Sequence, residues 1–268
     1  TTVRMLACLI RPTSGSAYVC GRDVRDQKEM QEIRKNVGML TEMSGFYDGL
    51  SVYKNLFFYS DMYHVSREKA KENIDYYLKL FDLYGHRNAC IGGFSRGMRQ
   101  KLALIRCLVH EPRLLFLDEP TSGLDPESAR TVREFIKGLK KEGRTVLLCT
   151  HNLDEAERLC DHIAILNKHI LNTGTPQGLK DSAYGREVVI KLERLDKPVL
   201  NTLCNMSLVK RLERRGDRLV MEVENPECDN ADIINGIVQA GGRIQYVSEL
   251  KHSLEEVYMK MLGESVEH

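Results

Sequence analysis

The N-terminal part of the chain alternates between strand-like and helix-like hydrophobic patterns. Residues 114–117 are four consecutive apolar residues, which is typical of a strand buried on both faces of a parallel sheet. Residues 36–41 and 145–149 are further candidates for buried strands. Residues 66–83 instead place apolar side chains at helical spacing, and Ser66 can cap that helix. Strands that alternate with helices predict an α/β fold.

Two more helices are predicted on either side of the apolar run 114–117. One follows Ser95, with Leu102, Ile105 and Leu108 or Val109 as its buried positions. The other begins after Asp125, which can cap it, with Pro126 at the first position and Gly143 at the end.

The pattern changes near residues 181–185, where short strand candidates replace the long helices. Ser253 and Glu256 have the spacing of a capping box at the start of a last helix. These signals predict a small α+β domain over residues 186–262. Its strand candidates are 187–192, 208–212, 218–223 and 243–247, and its internal helix candidate is 231–240.

Polar residues follow two of the predicted buried strands. Asp118 and Glu119 come after one strand, and Thr150 and His151 come after another. The carboxyl ends of parallel strands line the crevice where α/β sheets bind ligands. One carboxylate there can hold Mg²⁺, and its neighbour can polarise a water molecule.

A loop that contains glycine and serine, residues 92–98, comes directly before a predicted helix. Unpaired N–H groups and the helix dipole favour an anion such as phosphate at that position. Taken separately, this loop and the acidic pair also fit an ordinary capped helix and a solvated strand end. Their order in the chain is more specific, because the loop, a helix, the buried strand, the acidic pair and the turn 120–125 follow one another closely.

Together these segments resemble the nucleotide-binding subunit of ATP-binding cassette (ABC) transporters. Residues 94–98 resemble the signature loop of that family, usually written LSGGQ. Residues 115–119 resemble its Walker B motif, and residues 122–125 its D-loop.

The resemblance implies a P-loop NTPase-like, mostly parallel sheet with a helical subdomain over about residues 43–112. It implies an ATP-binding domain over residues 1–180 and a C-terminal accessory domain over residues 186–262. The ending SLEEVYMKM is similar to the C-terminal extension of the drug- and polyketide-export branch.

The resemblance also implies a reaction, the hydrolysis of ATP with Mg²⁺ as cofactor. Asp118 would position the Mg²⁺, Glu119 would be the general base, and His151 would contact the γ-phosphate. Ser95 would act on ATP held by a second subunit. Further residues implied to contact the nucleotide are Thr1, Thr2, Arg96, Gly97, Met98 and Asp125.

The chain departs from the family pattern at Phe94, Arg96 and Met98 of the signature loop. It also has Glu42 where the family has the Q-loop glutamine, and we expect this carboxylate to bind Mg²⁺. The sequence leaves open whether Arg96 contacts phosphate or points to solvent.

The resemblance implies that most of the P-loop precedes this sequence. Residues 4–6 resemble the helix that follows a P-loop, and counting back puts its lysine and its Mg²⁺-binding hydroxyl ahead of Thr1. Those groups supply most contacts to the β- and γ-phosphates. We therefore expect the 268-residue chain to be a truncated piece that binds ATP poorly by itself and hydrolyses little of it.

Composition and charge limit the kinds of partner that the chain can have. A net charge of +1 argues against a dedicated nucleic-acid surface. The eight cysteines are scattered, which indicates reduced thiols in a cytoplasmic protein. No apolar run approaches the ~18 residues of a membrane span, so we expect the chain to dock on a transmembrane permease subunit at the cytoplasmic face of the cell membrane. Phe46 and Tyr47 are candidate contacts with that subunit.

Two alternatives stay open. One is a soluble ABC ATPase that acts in repair or translation, although such proteins usually carry a coiled-coil insertion or a second cassette. The other is a truncated or degenerate cassette that acts only as an interaction module. The transported substrate and the choice between a homodimer and a heterodimer also stay open.

Overall fold

The computed structural model describes residues 1–41 and 45–263. The chain divides into two compact units, Thr1–Asn152 and a second unit from Leu153 onwards. Glu42, the predicted magnesium ligand, lies outside the described residues. Within the described ranges, none of the helices has both the length and the apolar character needed to cross a bilayer.

The first unit is built around a short parallel sheet. Strands β3 (Val37–Leu40), β4 (Leu114–Asp118) and β5 (Thr145–Cys149) lie side by side in that order. Strands β1 (Tyr18–Val19) and β2 (Arg22–Asp23) form a separate antiparallel pair. The helices are α1 (Thr2–Leu6), α2 (Met30–Asn36), α3 (Val52–Met62), α4 (Arg67–Leu80), α5 (Arg96–Leu108) and α6 (Pro126–Lys141). Helices between parallel strands confirm the α/β prediction for this unit.

The predicted strands of the parallel sheet form where the sequence places them, but one of them is not buried as predicted. Leu115, Phe116 and Leu117 of β4 are almost fully buried, as expected. The prediction that residues 145–149 are buried is wrong, because they are exposed or half-buried and Leu147 is 36% exposed. Among the described residues β5 is an edge strand that pairs only with β4. An apolar run does not by itself distinguish a central strand from an edge strand.

Helices α4 and α6 begin where the sequence predicts. The Ser66 side chain accepts a hydrogen bond from the Lys69 N–H, and α4 ends at Leu80, before the predicted Leu83. The apolar face of α4 is buried: Ala70, Ile74, Tyr77, Leu78 and Phe81. Asp125 caps α6 by accepting from the Ser128 N–H at 2.9 Å.

Gly38 allows α5 to lie directly against β3. A Cβ atom at this position would lie 2.3 Å from the carbonyl oxygen of Cys107, much closer than side chains approach. The predicted buried positions of α5, including Leu102, Ile105 and Leu108, are fully buried. This packing fixes the helix that begins after Ser95 relative to the sheet.

The second unit begins with a helix, a hairpin and another helix. These are α7 (Leu153–Leu159), β6 (Ile163–Asn167), β7 (His169–Gly174) and α8 (Pro176–Tyr184). The last helix, α11 (Leu254–Leu262), packs on α7 and α8 and shares a core with them. This compact unit therefore begins before residues 181–185, because α11 packs into one core with α7 and α8. The division into domains 1–180 and 186–262 stays a prediction.

The hydrophobic pattern predicted neither strand β7 nor helix α8. Thr175 caps α8 by accepting from the Gly178 N–H, and Pro176 is the first helical residue. The same residue types favour turns and helix starts, so the local signal was ambiguous.

The remainder of the second unit is a four-stranded antiparallel sheet. Its strands are β8 (Arg186–Leu192), β9 (Val209–Arg215), β10 (Arg218–Val223) and β11 (Ile244–Glu249), in the order β11-β8-β10-β9. Helices α9 (Lys197–Asn205) and α10 (Pro226–Gln239) share a core with the sheet. The α+β prediction and the Ser253–Glu256 capping box are confirmed, although the prediction omits α9.

Candidate functional site at the ends of two parallel strands

The parallel pairing of β4 and β5 brings two polar segments to one edge of the sheet. Asp118 lies opposite Cys149 in the strand register. Glu119 follows Asp118, and Thr150 and His151 follow Cys149, so both segments emerge at the same place. This is the end of a parallel sheet at which α/β proteins bind ligands.

Glu119 and His151 are joined by two hydrogen bonds. The backbone N–H of His151 donates to Glu119 Oε1 at 2.8 Å, and the ring atom Nδ1 lies 2.7 Å from the same oxygen. Because a carboxylate accepts, Nδ1 carries the hydrogen and Nε2 is left for another group. The His151 side chain is 85% exposed and that of Glu119 is 32% exposed. The protein therefore orients this pair and leaves it open to a ligand.

The backbone of Glu119 is held in the left-handed region, with φ of 48°. A non-glycine residue in that region costs about 1–2 kcal/mol. The Glu119 N–H donates to the Cys149 carbonyl oxygen at 2.9 Å, and the Glu119 carbonyl oxygen accepts from the Ser122 N–H at 3.1 Å. These bonds hold the strained residue where β4 meets the turn that follows it.

The Asp118 carboxylate is exposed at the end of β4. Burial raises the pKa of the neighbouring Cys149 thiol, and the negative charge of Asp118 raises it further.

The residues present fit a magnesium ion. The described part of the chain contains no group of three or more histidine, cysteine or acidic side chains that could hold a metal ion. Mg²⁺ does not require one, because it keeps several waters and binds through one or two carboxylates plus substrate phosphates. The exposed Asp118 carboxylate meets that requirement.

The signature loop presents a donor and an accessible backbone. The Ser95 side-chain oxygen accepts from the Met98 N–H at 3.2 Å and so caps α5. Its hydroxyl hydrogen stays available, because Oγ is the acceptor in that bond. A Cβ atom at Gly97 would lie 3.6 Å from Leu124 Cδ2, an ordinary contact, so packing within the chain does not require a glycine there.

Arg96 lies against the D-loop of its own chain. Its Nη2 atom is 3.5 Å from Ser122 Oγ, and a Cβ atom on Gly123 would lie 2.6 Å from Arg96 Nε. Gly123 also has φ of 72°, so backbone conformation and space both favour glycine. The guanidinium thus rests on residues 122–123, and its contact with a nucleotide stays a prediction.

The structure brings the predicted site residues together in two groups. Asp118, Glu119 and His151 meet at the ends of β4 and β5. The loop 95–98 lies at the start of α5, and its Arg96 contacts residues 122–123.

Three other predicted nucleotide contacts lie at helix starts. Thr1 and Thr2 begin α1. Asp125 caps α6, and hydrogen bonds from Ser128 hold the pKa of Asp125 below its usual range, so this carboxylate is charged. Their contact with a nucleotide stays a prediction.

Sequence reasoning missed Gln100. Its side-chain amide donates to the carbonyl oxygens of Glu119 and Pro120, at 3.1 and 3.2 Å. The available signal was its spacing, since Gln100 lies four residues after Arg96 and therefore on the same face of α5.

Two protein-family models match the chain. The model described as ABC transporter matches residues 1–122. The model described as the C-terminal domain of DrrA1-3-like ATP-binding proteins matches residues 174–262.

Individual proteins agree with these matches. The Nod factor export ATP-binding protein I of Cupriavidus metallidurans is 32% identical over 264 residues, covering 98% of this chain and 84% of that protein. The ATP-binding cassette sub-family A member 2 of Rattus norvegicus is 41% identical over 283 residues, covering 98% of this chain and 11% of that longer protein. A solved ATP-binding subunit of an ABC transporter superposes with a TM-score of 0.63 at 27% identity, covering 68% of this chain and 75% of that chain. With the strand-end site and the signature loop in the positions described, these matches show that the chain belongs to the family of ATP-binding subunits of ABC transporters.

Proposed function

We propose that this chain is part of the ATP-hydrolysing subunit that powers an ABC-type membrane exporter. Membership of the ABC family supports ATP binding and hydrolysis. Similarity to a Nod factor export protein and to the DrrA-like C-terminal domain supports export. The observation that carries the proposal is the exposed Glu119–His151 pair beside Asp118 at the ends of β4 and β5.

In this proposal Glu119 is the general base. Its carboxylate accepts a proton from the water that attacks the terminal phosphate. The two hydrogen bonds from His151 fix one carboxylate oxygen, and the Thr150 hydroxyl donates to the other oxygen at 3.5 Å. A carboxylate oxygen accepts more than one hydrogen bond, so this second oxygen can still meet the water. The same ring directs Nε2 toward the γ-phosphate, where a donor stabilises negative charge.

Asp118 is the proposed magnesium ligand. Mg²⁺, when bound, would neutralise charge on the phosphates. The carboxylate of Asp118 is exposed at the end of β4, so it is accessible to an ion bound there. A role for Glu42 in the same site stays a prediction, as do the contacts of Thr1, Thr2 and Asp125 with the nucleotide.

The signature loop is proposed to complete the site of a second copy. Ser95 has a hydroxyl hydrogen to donate, and the first N–H groups of α5 favour an anion. Gly97 meets no close neighbour in its own chain, which fits a glycine kept for the approach of a ligand. Met98 contributes its backbone to the same turn. A homodimer and a heterodimer both satisfy this arrangement.

A transmembrane subunit is proposed to dock on an aromatic cluster formed by residues 46–47 and the second half of α3. Tyr47 is 52% exposed and Phe58 is 40% exposed, and their rings meet edge to face at 5.3 Å. The Arg106 guanidinium lies over the rings of Phe46 and Tyr59. Exposed aromatic anchors of this kind suit an amphipathic helix of a partner. The subunit would then work on the cytoplasmic face of the membrane.

The test is Glu119→Gln in an extended cassette, by which we mean this chain preceded by the P-loop segment that the resemblance puts before Thr1. We expect ATP binding to persist in calorimetry and phosphate release to fall by about a hundredfold or more, since the base is lost. Glu134→Gln, at an exposed position of α6, is the control and should leave both unchanged. Turnover at the unmodified rate in Glu119→Gln would remove Glu119 from its role.

A further inference from the structure

The side chain of Gln100 binds the backbone that carries the proposed base. Its Nε2 atom donates to the Glu119 carbonyl oxygen at 3.1 Å and to the Pro120 carbonyl oxygen at 3.2 Å. Both carbonyl groups belong to the turn that leads from β4 into the D-loop. One side chain of α5 therefore fixes two successive peptide groups next to the site.

The backbone at Glu119 needs such support. Its φ of 48° is in a region that non-glycine residues leave unless several contacts hold them. The Ser122 N–H also donates to the Glu119 carbonyl oxygen, at 3.1 Å. If the peptide rotated toward an ordinary conformation, the carboxylate would move with it and lose its alignment with His151.

A second contact lies one turn earlier on the same face of α5. Arg96 rests on Gly123 and reaches Ser122 Oγ at 3.5 Å. Gln100 and Arg96 thus hold the two ends of the segment 119–123. The first two turns of α5 are therefore in direct contact with the segment 119–123, which carries the proposed base.

We infer that Gln100 is a positioning residue for ATP hydrolysis, because it keeps the strained backbone of Glu119 in the conformation that aligns its carboxylate. Arg96 supports the other end of the same segment, so a shift of α5 would move the backbone of Glu119. This inference rests on the proposed role of Glu119 as the base.

The experiment is a double-mutant cycle in the extended cassette with Gln100→Met and Glu119→Gln. Methionine keeps the length of the side chain and removes the amide donor. We expect Gln100→Met to lower kcat about tenfold, the size of one or two lost hydrogen bonds, with little change in KM for ATP. In the Glu119→Gln background the same change should have little further effect, because the group it positions is already absent.

Two further variants separate positioning from general damage. Gln31→Met makes the same substitution at an exposed position of α2 and should leave kcat unchanged. Gln100→Lys restores a donor and should recover turnover relative to Gln100→Met, whereas a residue that only fills space would show no such recovery.

The outcomes distinguish the two proposals. If Glu119→Gln alone keeps full turnover, the proposed base is wrong. If Glu119→Gln loses turnover and Gln100→Met matches the unmodified cassette, only the positioning role is wrong. A drop that is equally large in both backgrounds would assign Gln100 to folding and also overturn the inference.

Discussion

Each unit of the chain contains a histidine bound to glutamate, and the two contacts differ in burial. In the first unit His151 binds Glu119 at 2.7 Å, and the histidine side chain is 85% exposed. In the second unit His252 lies 3.0 Å from Glu187 and 2.9 Å from Glu256. The side chains of His252 and Glu187 are only 8% and 10% exposed.

The difference in burial decides whether each histidine has a ring nitrogen free to bind a ligand. Both ring nitrogens of His252 face carboxylate oxygens, and the ring stacks on Tyr184 at 3.8 Å. It joins β8 to the start of α11 and leaves no ring nitrogen for a ligand. His151 uses one nitrogen within the protein and offers the other to solvent. The same pair of residue types thus builds a core in one unit and a site in the other.

The largest expected effect is on stability and concerns His252. His252→Leu leaves the buried Glu187 carboxylate without its partner, which should cost about 3–5 kcal/mol of local stability. We expect hydrogen exchange at the amides of β8 to accelerate accordingly, with His162→Leu at an exposed position as control. Adding Glu187→Gln should recover part of the loss, because the unpaired charge is then removed. Unchanged protection of β8 in His252→Leu would contradict a structural role.

The next largest effect is on catalysis and concerns His151. His151→Ala in the extended cassette should lower phosphate release by about a hundredfold, since it removes the group that orients the base. Its melting temperature should stay close to that of the unmodified protein, because exposed substitutions change stability by about 0.5 kcal/mol at most. His162→Ala should change neither property. A His151→Ala variant that is destabilised but fully active would show that His151 has a structural role and not a catalytic one.

A third histidine sharpens the comparison because it is half-buried beside a carbonyl group. His110 Nε2 lies 3.1 Å from the Val37 carbonyl oxygen, and its ring stacks on Tyr63 at 3.7 Å. Burial lowers the pKa of His110 from 6.5 to about 4, with the Val37 carbonyl opposing the shift and Arg144 adding to it. The folded protein keeps this ring neutral while the unfolded chain takes up a proton, so stability falls as the pH drops through this window.

His110→Phe should remove that part of the pH dependence. Between about pH 7 and about pH 5, the unmodified chain should lose about 2 kcal/mol more unfolding free energy than the variant. Urea unfolding of both chains at the two pH values measures the difference. Identical pH dependence in the two chains would show that His110 titrates normally in the folded state.

Sequence reasoning found the parts of the site that lie within one segment of chain. The apolar run before Asp118, the Ser95 cap and the Asp125 cap are all local signals, and each has the expected structure. It missed Gln100 and His252, because the partners of Gln100 and the buried Glu187 partner of His252 lie far away in the sequence. It also assigned burial to residues 145–149, which the sheet order makes an edge.

The sequence by itself determined the main strands and helices of the first unit, the caps at Ser66, Ser95 and Asp125, and the motifs at the strand ends, because these depend on side-chain periodicity and on hydrogen bonds a few residues apart. Only the tertiary structure decided which histidine is buried and which is open. It also decided that α5 supports the backbone of Glu119. Such contacts depend on strand register and helix packing, which arise when distant segments are brought together and compete for the same space.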